Sequence, residues 1–109
     1  MKKYTQFEDL NVYKDALAFF VRMTNLLREN KYRTEFAVKD QLRRASLSIL
    51  NNIAEGFERE TDKELVRFLF FAKGSAGEVR NMMNVLKEMN YITEDDYLIL
   101  RKEIIYISQ

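Results

Sequence analysis

The 109-residue chain contains no cysteine, no histidine and no proline, and it has only three glycines. Without cysteine, neither a disulfide framework nor a thiolate metal site can form. Without histidine, the di-iron site that some four-helix proteins build from Glu-x-x-His pairs is excluded. The chain also lacks a nucleophile elbow and a phosphate-binding glycine loop. We therefore expect a protein that is not an enzyme and that holds no cofactor or metal.

Hydropathy and charge narrow the class of protein further. No apolar run approaches the roughly 18 residues that span a bilayer, and the first ten residues, MKKYTQFEDL, carry acids where a signal peptide would become apolar. We expect a cytoplasmic protein without a membrane partner or a small-molecule substrate. Residues 1–44 carry ten basic and six acidic side chains, and residues 45–109 carry eight and eleven. This mild asymmetry differs from a basic nucleic-acid-binding tail.

Start signals predict the first two helices. Glu8 and Asp9 suit the positive N-terminal end of a first helix, which is expected over about residues 8–28. Thr34 is expected to cap a second helix that runs to about Phe57.

Two capping boxes predict the other helices. Thr61-Asp-Lys-Glu64 opens a third helix that runs to about Met89, and Thr93-Glu-Asp-Asp96 opens a short fourth helix that continues to the C-terminus. No stretch shows the sustained alternation of a strand. The sequence therefore predicts a single all-α domain over residues 1–109.

Apolar residues form two stripes, rather than one, on each of the first two helices. A helix in a monomeric four-helix bundle needs only one apolar stripe, and exposed apolar surface of this extent marks an interaction site. We therefore expect self-association through the second stripes, whose members include Phe19, Met23, Leu47, Leu50 and Phe57.

Two glycines lie within the third predicted helix, where each costs about 1 kcal/mol relative to alanine. Gly74 and Gly77 share a helix face with Phe70, and small residues there would let another backbone come close. One interpretation is tight packing of a second helix, which adds Phe70 to the predicted oligomer interface. The other is a ligand or nucleic-acid backbone seated over the glycines.

Polar residues of the second helix share one arc, and two interpretations of it remain open. In the first, the arc is a solvated face held by ion pairs between residues four apart, Asp40–Arg44 and Glu55–Arg59. In the second, the arc meets the third helix in a polar network. The residues assigned to such a network or to helix packing are Ser48, Asn52, Glu55, Gly56, Gly74, Ser75, Gly77 and Glu78.

Two of these residues were also considered for chemistry. Glu55 and Glu78 are the one carboxylate pair that we consider for acid–base work or Mg²⁺ binding. Structural carboxylates are far commoner than catalytic ones, so no catalytic residue is assigned.

Basic residues form two clusters along the chain. Ordinary solubilising charge explains both clusters, whereas a phosphate-binding surface requires that oligomer symmetry bring them together. The first cluster lines one edge of the third helix and consists of Lys73, Arg80 and Lys87. The second lies near the start of the second helix and consists of Lys39, Arg43 and Arg44.

Three segments resemble the four-helix bundle family of 23S rRNA intervening-sequence proteins. They are FEDLNVYKDALAF, QLRRASLSILNNIAEGFER and FLFFAKGSAGEVRNMM, and the similarity extends to the YIT turn before the fourth helix. The combination of SILNNIAEG with A-x-G-S-A-x-E is specific, whereas either half alone is weak. The resemblance implies an antiparallel up-down four-helix bundle, assembled as a homopentamer, whose molecular role is largely undefined.

A related branch, the accessory variability determinants of diversity-generating retroelements, is similar in fold, strongly basic, and associates with a reverse transcriptase and nucleic acid. The net charge of this chain is only +1 and departs from that branch. Two functions are therefore expected. One is a non-enzymatic oligomeric scaffold or adaptor that binds RNA or ribonucleoprotein through repeated basic patches. The other is a protein-interaction module that serves a reverse transcriptase or another polymerase.

Overall fold

The computed structural model of the protein describes residues 5–28 and 36–108, and these residues form four α-helices and a short 3₁₀ helix. Each α-helix packs against the next along the chain, and the first also packs against the last. Within the described ranges, no helix has the length and apolar character needed to cross a membrane. After the 3₁₀ helix Phe7–Asp9, the helices are α1 (Asn11–Arg28), α2 (Phe36–Glu58), α3 (Asp62–Glu88) and α4 (Glu94–Ile107).

The first α-helix begins three residues later than the sequence predicts. Glu8 and Asp9 belong to the 3₁₀ helix, and Leu10 then adopts extended backbone angles, φ −69° and ψ 131°. This extended residue separates the two helical segments. The predicted end of the helix at Arg28 is confirmed, whereas the predicted cap of the second helix, Thr34, lies outside the described residues.

Threonine caps open α3 and α4, as the capping boxes predict. The Thr61 hydroxyl accepts a hydrogen bond from the Glu64 backbone N–H at 3.2 Å, and the Thr93 hydroxyl accepts one from the Asp96 N–H at 3.1 Å. Each bond satisfies a backbone donor that has no partner inside the helix. Two of the helix starts are therefore fixed by local hydrogen bonding alone.

An asparagine that the sequence analysis did not single out ends α3. Asn90 has a φ of 59°, in the left-handed region. Its N–H donates to the Lys87 carbonyl at 3.0 Å, and the Tyr91 N–H donates to the Leu86 carbonyl at 2.8 Å. These two bonds make a Schellman motif, which stops the helix at Glu88.

The buried core includes side chains from all four α-helices, and it corrects the predicted oligomer interface. A helix that packs against two neighbours needs a wide apolar arc, so the two stripes of α1 and α2 largely serve one core. Of the six residues assigned to an interface, only Leu47 and Phe70 are exposed. The others lie inside the core of this chain and are not available to a second copy: Phe19, Met23, Leu50 and Phe57.

The most extensive helix pair is α2 with α3. These helices run in opposite directions, because Gly56 faces Phe68 whereas Ser48 meets Ser75 farther along both. A Cβ atom added at Gly56 would lie 2.7 Å from Cβ of Phe68 and 3.3 Å from the Leu65 carbonyl oxygen. Only glycine fits at this position, because the obstructing atoms belong to the backbone or lie next to it.

The glycines within α3 have different surroundings. Gly74 and Gly77 are exposed, and apart from their chain neighbours and the backbone of their own helical turns, no described atom lies within 4 Å of a Cβ built on either one. Within this chain, close helix packing therefore depends on Gly56 rather than on Gly74 and Gly77.

Replacing Gly56 with alanine should destabilise the fold. Because the added methyl group overlaps Phe68, α2 and α3 must separate, and we expect the free energy of unfolding to fall by roughly 1–3 kcal/mol. The measurement is urea unfolding followed by circular dichroism, at a protein concentration low enough to dissociate any assembly.

The matched control is Gly74→Ala. Its methyl group meets open space, so alanine should raise stability by up to about 1 kcal/mol through its better helix propensity. A Gly56→Ala variant as stable as the wild type would contradict this account of the α2–α3 contact.

Candidate interaction surfaces

A cleft of about 420 Å³ opens between α1 and the first turns of α2. Met23 and Leu27 are buried and Phe20 is half-buried, so the base of the cleft is apolar. No acidic side chain is among the described residues that line it. The cleft thus combines an apolar base with three basic side chains, Arg28, Lys39 and Arg43.

Helix geometry explains how these cations come together. Lys39 and Arg43 are four residues apart on α2 and therefore lie on the same side of it. Arg28 is the last residue of α1, where a cation also interacts favourably with the helix dipole. The helices are joined nearby by a buried contact in which the Ser46 hydroxyl donates to the Met23 sulfur at 3.5 Å.

Arg44 does not line this cleft, although its position in the sequence predicts a cluster with Lys39 and Arg43. Its Nε lies 2.8 Å from the Asp40 carboxylate, in the four-apart ion pair of the solvated-face interpretation. Arg28 lines the cleft together with Lys39 and Arg43. The predicted basic clusters do not include it. Its position in the last turn of the first predicted helix was the signal that could have identified it, because a short connection brings that end beside the start of the next helix.

The basic edge of α3 keeps two of its three predicted members. The Lys87 ammonium lies 3.4 Å from the Glu94 carboxylate and 4.8 Å from the centre of the Tyr97 ring. Lys87 is therefore engaged with α4. Lys73 and Arg80 are exposed on the same side of α3, and they remain the available cations of this edge.

A polar network between α2 and α3 forms, but it is smaller than the sequence suggests. The Ser48 and Ser75 hydroxyl oxygens are 2.7 Å apart, and the Asn52 amide donates to the Ser48 carbonyl at 2.8 Å and to its hydroxyl at 3.1 Å. The buried Ser75 hydroxyl thus bonds across the interface. Each interpretation of the polar arc is partly correct.

The two carboxylates considered for chemistry do not meet. Glu55 pairs with Arg59, their charged atoms being 3.0 Å apart, which confirms the second predicted ion pair. Because Gly56 faces Phe68 near one end of the helix pair, Glu55 lies roughly 15 Å from Glu78 along the helix axes. In the described part of the chain, no group of three or more acidic residues converges on a point where a metal ion could bind.

A line of small and apolar residues runs along the outer face of α3. Val66 and Phe70 are 51% and 66% exposed, and Gly74 and Gly77 continue the line at the four- and three-residue steps of one helix face. We call these four residues the α3 outer face. Exposure of a large aromatic beside two glycines leaves apolar surface that the described residues do not cover.

Comparison with known proteins agrees with this architecture. The model of the family described as 23S rRNA-intervening sequence protein matches residues 8–109. No curated protein sequence matches the chain significantly. The fold is similar to the crystal structure of a protein of unknown function from the S23 ribosomal protein family of Bacteroides thetaiotaomicron, with 28% identity and a TM-score of 0.79. That similarity covers 89% of this chain and 91% of the other.

The family match spans all four α-helices, including the glycine and serine contacts that join α2 to α3. It confirms the resemblance found in the three sequence segments. The chain belongs to the 23S rRNA-intervening sequence protein family.

Proposed function

We propose that this protein is a non-enzymatic oligomeric adaptor that binds RNA or ribonucleoprotein. The observation that carries the proposal is the cation cluster of Arg28, Lys39 and Arg43, which lines one cleft with no acid among the described lining residues. Neutralising phosphates releases their counterions, so clustered cations favour nucleic acid over an isolated acidic side chain. Lys73 and Arg80 add a second, smaller basic area on α3.

The proposal of a non-enzymatic role rests on the separation of the carboxylates. Glu55 forms an ion pair with Arg59 near one end of the α2–α3 contact. Glu78 lies farther along the contact, three residues after Ser75. The chain has no cysteine or histidine that would supply a nucleophile or a general base instead. Binding is therefore the better supported activity.

Self-association is proposed through the α3 outer face. Each chain would form one domain, an antiparallel up-down bundle. An assembly of five copies is proposed because of the family resemblance. A Cβ built on Gly74 or Gly77 would meet no described atom beyond its own helical turns, and a second copy placed over the two glycines would recover apolar contact with Phe70. Closed symmetry would repeat the cation cluster once per subunit, which multiplies the contacts to one RNA.

Replacing Phe70 with aspartate should dissociate the assembly, because a carboxylate would be buried in an apolar contact. We expect the wild type to sediment as a closed oligomer, most simply of five chains, at micromolar concentration, and Phe70→Asp to sediment as a single chain. Tyr106→Asp is the matched control, since both aromatic side chains are 66% exposed and Tyr106 lies on α4. A wild-type monomer in analytical ultracentrifugation would remove this part of the proposal.

RNA affinity should fall steeply with salt. For single-stranded RNA, the slope of log affinity against log salt should weaken by roughly 0.7 for each phosphate contact that a variant loses. The double variant Lys73→Gln/Arg80→Gln should therefore show a shallower slope than the wild type, with unchanged helicity.

Lys63→Gln/Lys102→Gln provides a control with the same change in charge, at two exposed lysines outside both basic areas. Equal loss of affinity in both double variants would indicate an effect of net charge alone. If the wild type binds no RNA even at low salt, the RNA-binding function is wrong, and a protein-interaction module that serves a polymerase becomes the better explanation.

A further inference from the structure

The cleft between α1 and α2 has two kinds of surface, and a ligand that fits it needs both. We propose that it binds a nucleoside monophosphate, with the phosphate on Arg28, Lys39 and Arg43 and the base against Phe20. This inference rests on the RNA-binding function proposed above and specifies the group that this cleft recognises. The group is either a free nucleotide or the phosphorylated terminal nucleotide of a single strand.

The size of the cleft suits such a ligand. Its volume of about 420 Å³ lies within the range of pockets that enclose small organic molecules. Two buried side chains, Met23 and Leu27, and the half-buried Phe20 form the apolar base. A planar nucleobase suits this apolar surface, because aromatic side chains stack on the faces of all nucleobases with little sequence preference.

The charge of the cleft favours a terminal phosphate. A phosphate monoester carries about −1.5 to −2 charges at neutral pH, whereas an internal phosphodiester or a carboxylate carries about −1. Three cations therefore discriminate in favour of the monoester. Arg28 and Arg43 can each present the planar fork that binds two phosphate oxygens, and Lys39 supplies a compact positive charge between them in sequence.

Nearby acids do not neutralise these cations within the described residues. Asp40, which follows Lys39 directly, is engaged with Arg44 at 2.8 Å and does not line the cleft. The acids at either end of the α1–α2 connection, Glu29 and Glu35, lie outside the described residues.

A hydroxyl group within the cleft wall also lacks a partner. The Thr24 hydroxyl is shielded from solvent and forms no hydrogen bond with any described residue. Threonine in a helix populates two χ1 rotamers, so this hydroxyl can adopt a second orientation. A ribose or phosphate oxygen would then supply the hydrogen bond that the protein leaves unmade.

The test is calorimetric titration of the full chain with adenosine monophosphate, adenosine and inorganic phosphate. We expect the monophosphate to bind roughly tenfold or more tightly than either fragment, because only it uses both the cations and the apolar base. Arg43→Gln should weaken its binding roughly tenfold. Lys102→Gln is the matched control, since it removes the same charge at an exposed residue of α4 that does not line the cleft, and it should leave the affinity unchanged.

Phe20→Leu separates the two halves of the site. Leucine retains apolar packing but cannot stack on a base, so this variant should weaken binding of the monophosphate while leaving inorganic phosphate unaffected. Circular dichroism of each variant establishes that the helices are intact. If Phe20→Leu fails to fold, the comparison of Arg43→Gln with Lys102→Gln still decides the proposal.

A second titration identifies the source of the nucleotide. Tighter binding of a short 5′-phosphorylated oligoadenylate than of its 5′-hydroxyl counterpart, with loss in Arg43→Gln, assigns the cleft to the end of a strand. Binding of the free monophosphate alone assigns it to a nucleotide.

Two results would overturn the inference: absence of binding by both the monophosphate and the phosphorylated strand, or equal effects of Arg43→Gln and Lys102→Gln. Salt-dependent RNA binding that persists unchanged in Arg43→Gln would retain the proposed function and remove only this site.

Discussion

The close contact between α2 and α3 is the constraint on which the rest of the structure depends. Gly56 lets the two helices approach until a Cβ atom at that position would be 2.7 Å from Cβ of Phe68. Farther along the same interface, the Ser48 and Ser75 hydroxyls meet at 2.7 Å. A steric contact at one end and a hydrogen bond farther along fix the register of the two helices, since a shift of either helix would break both.

A different side of α2 packs against α1. The buried Ser46–Met23 contact joins these helices, and their ends meet at the cleft. Arg28 is eleven positions before Lys39 in the sequence, yet both line the same cleft. The cluster thus results from the packing of two helix ends, and the sequence alone shows only two of its three members.

Local ion pairing separates the cations that remain available from those that do not. Arg44 is paired with Asp40 on the same helix, and Lys87 is paired with Glu94 of the following helix. Both belonged to the predicted basic clusters. Exposed pairs of this kind contribute at most about 1 kcal/mol to stability, but they reduce the local positive charge that a phosphate would meet. Charge spacing along a helix therefore identifies candidate sites, whereas the positions of neighbouring acids decide among them.

The sequence by itself determined the all-α fold and the ends of most helices, because these depend on signals within one or two turns. Thr61 and Thr93 cap their helices as predicted, and the ion pairs between residues four apart form on a single helix. Tertiary structure decided how deeply each apolar side chain of the two stripes on α1 is buried. Phe19 is 1% exposed whereas Leu17 is 41% exposed, although both lie at helical spacing. It also decided that Gly56 rather than Gly74 is the packing glycine, because close approach depends on the neighbouring helix.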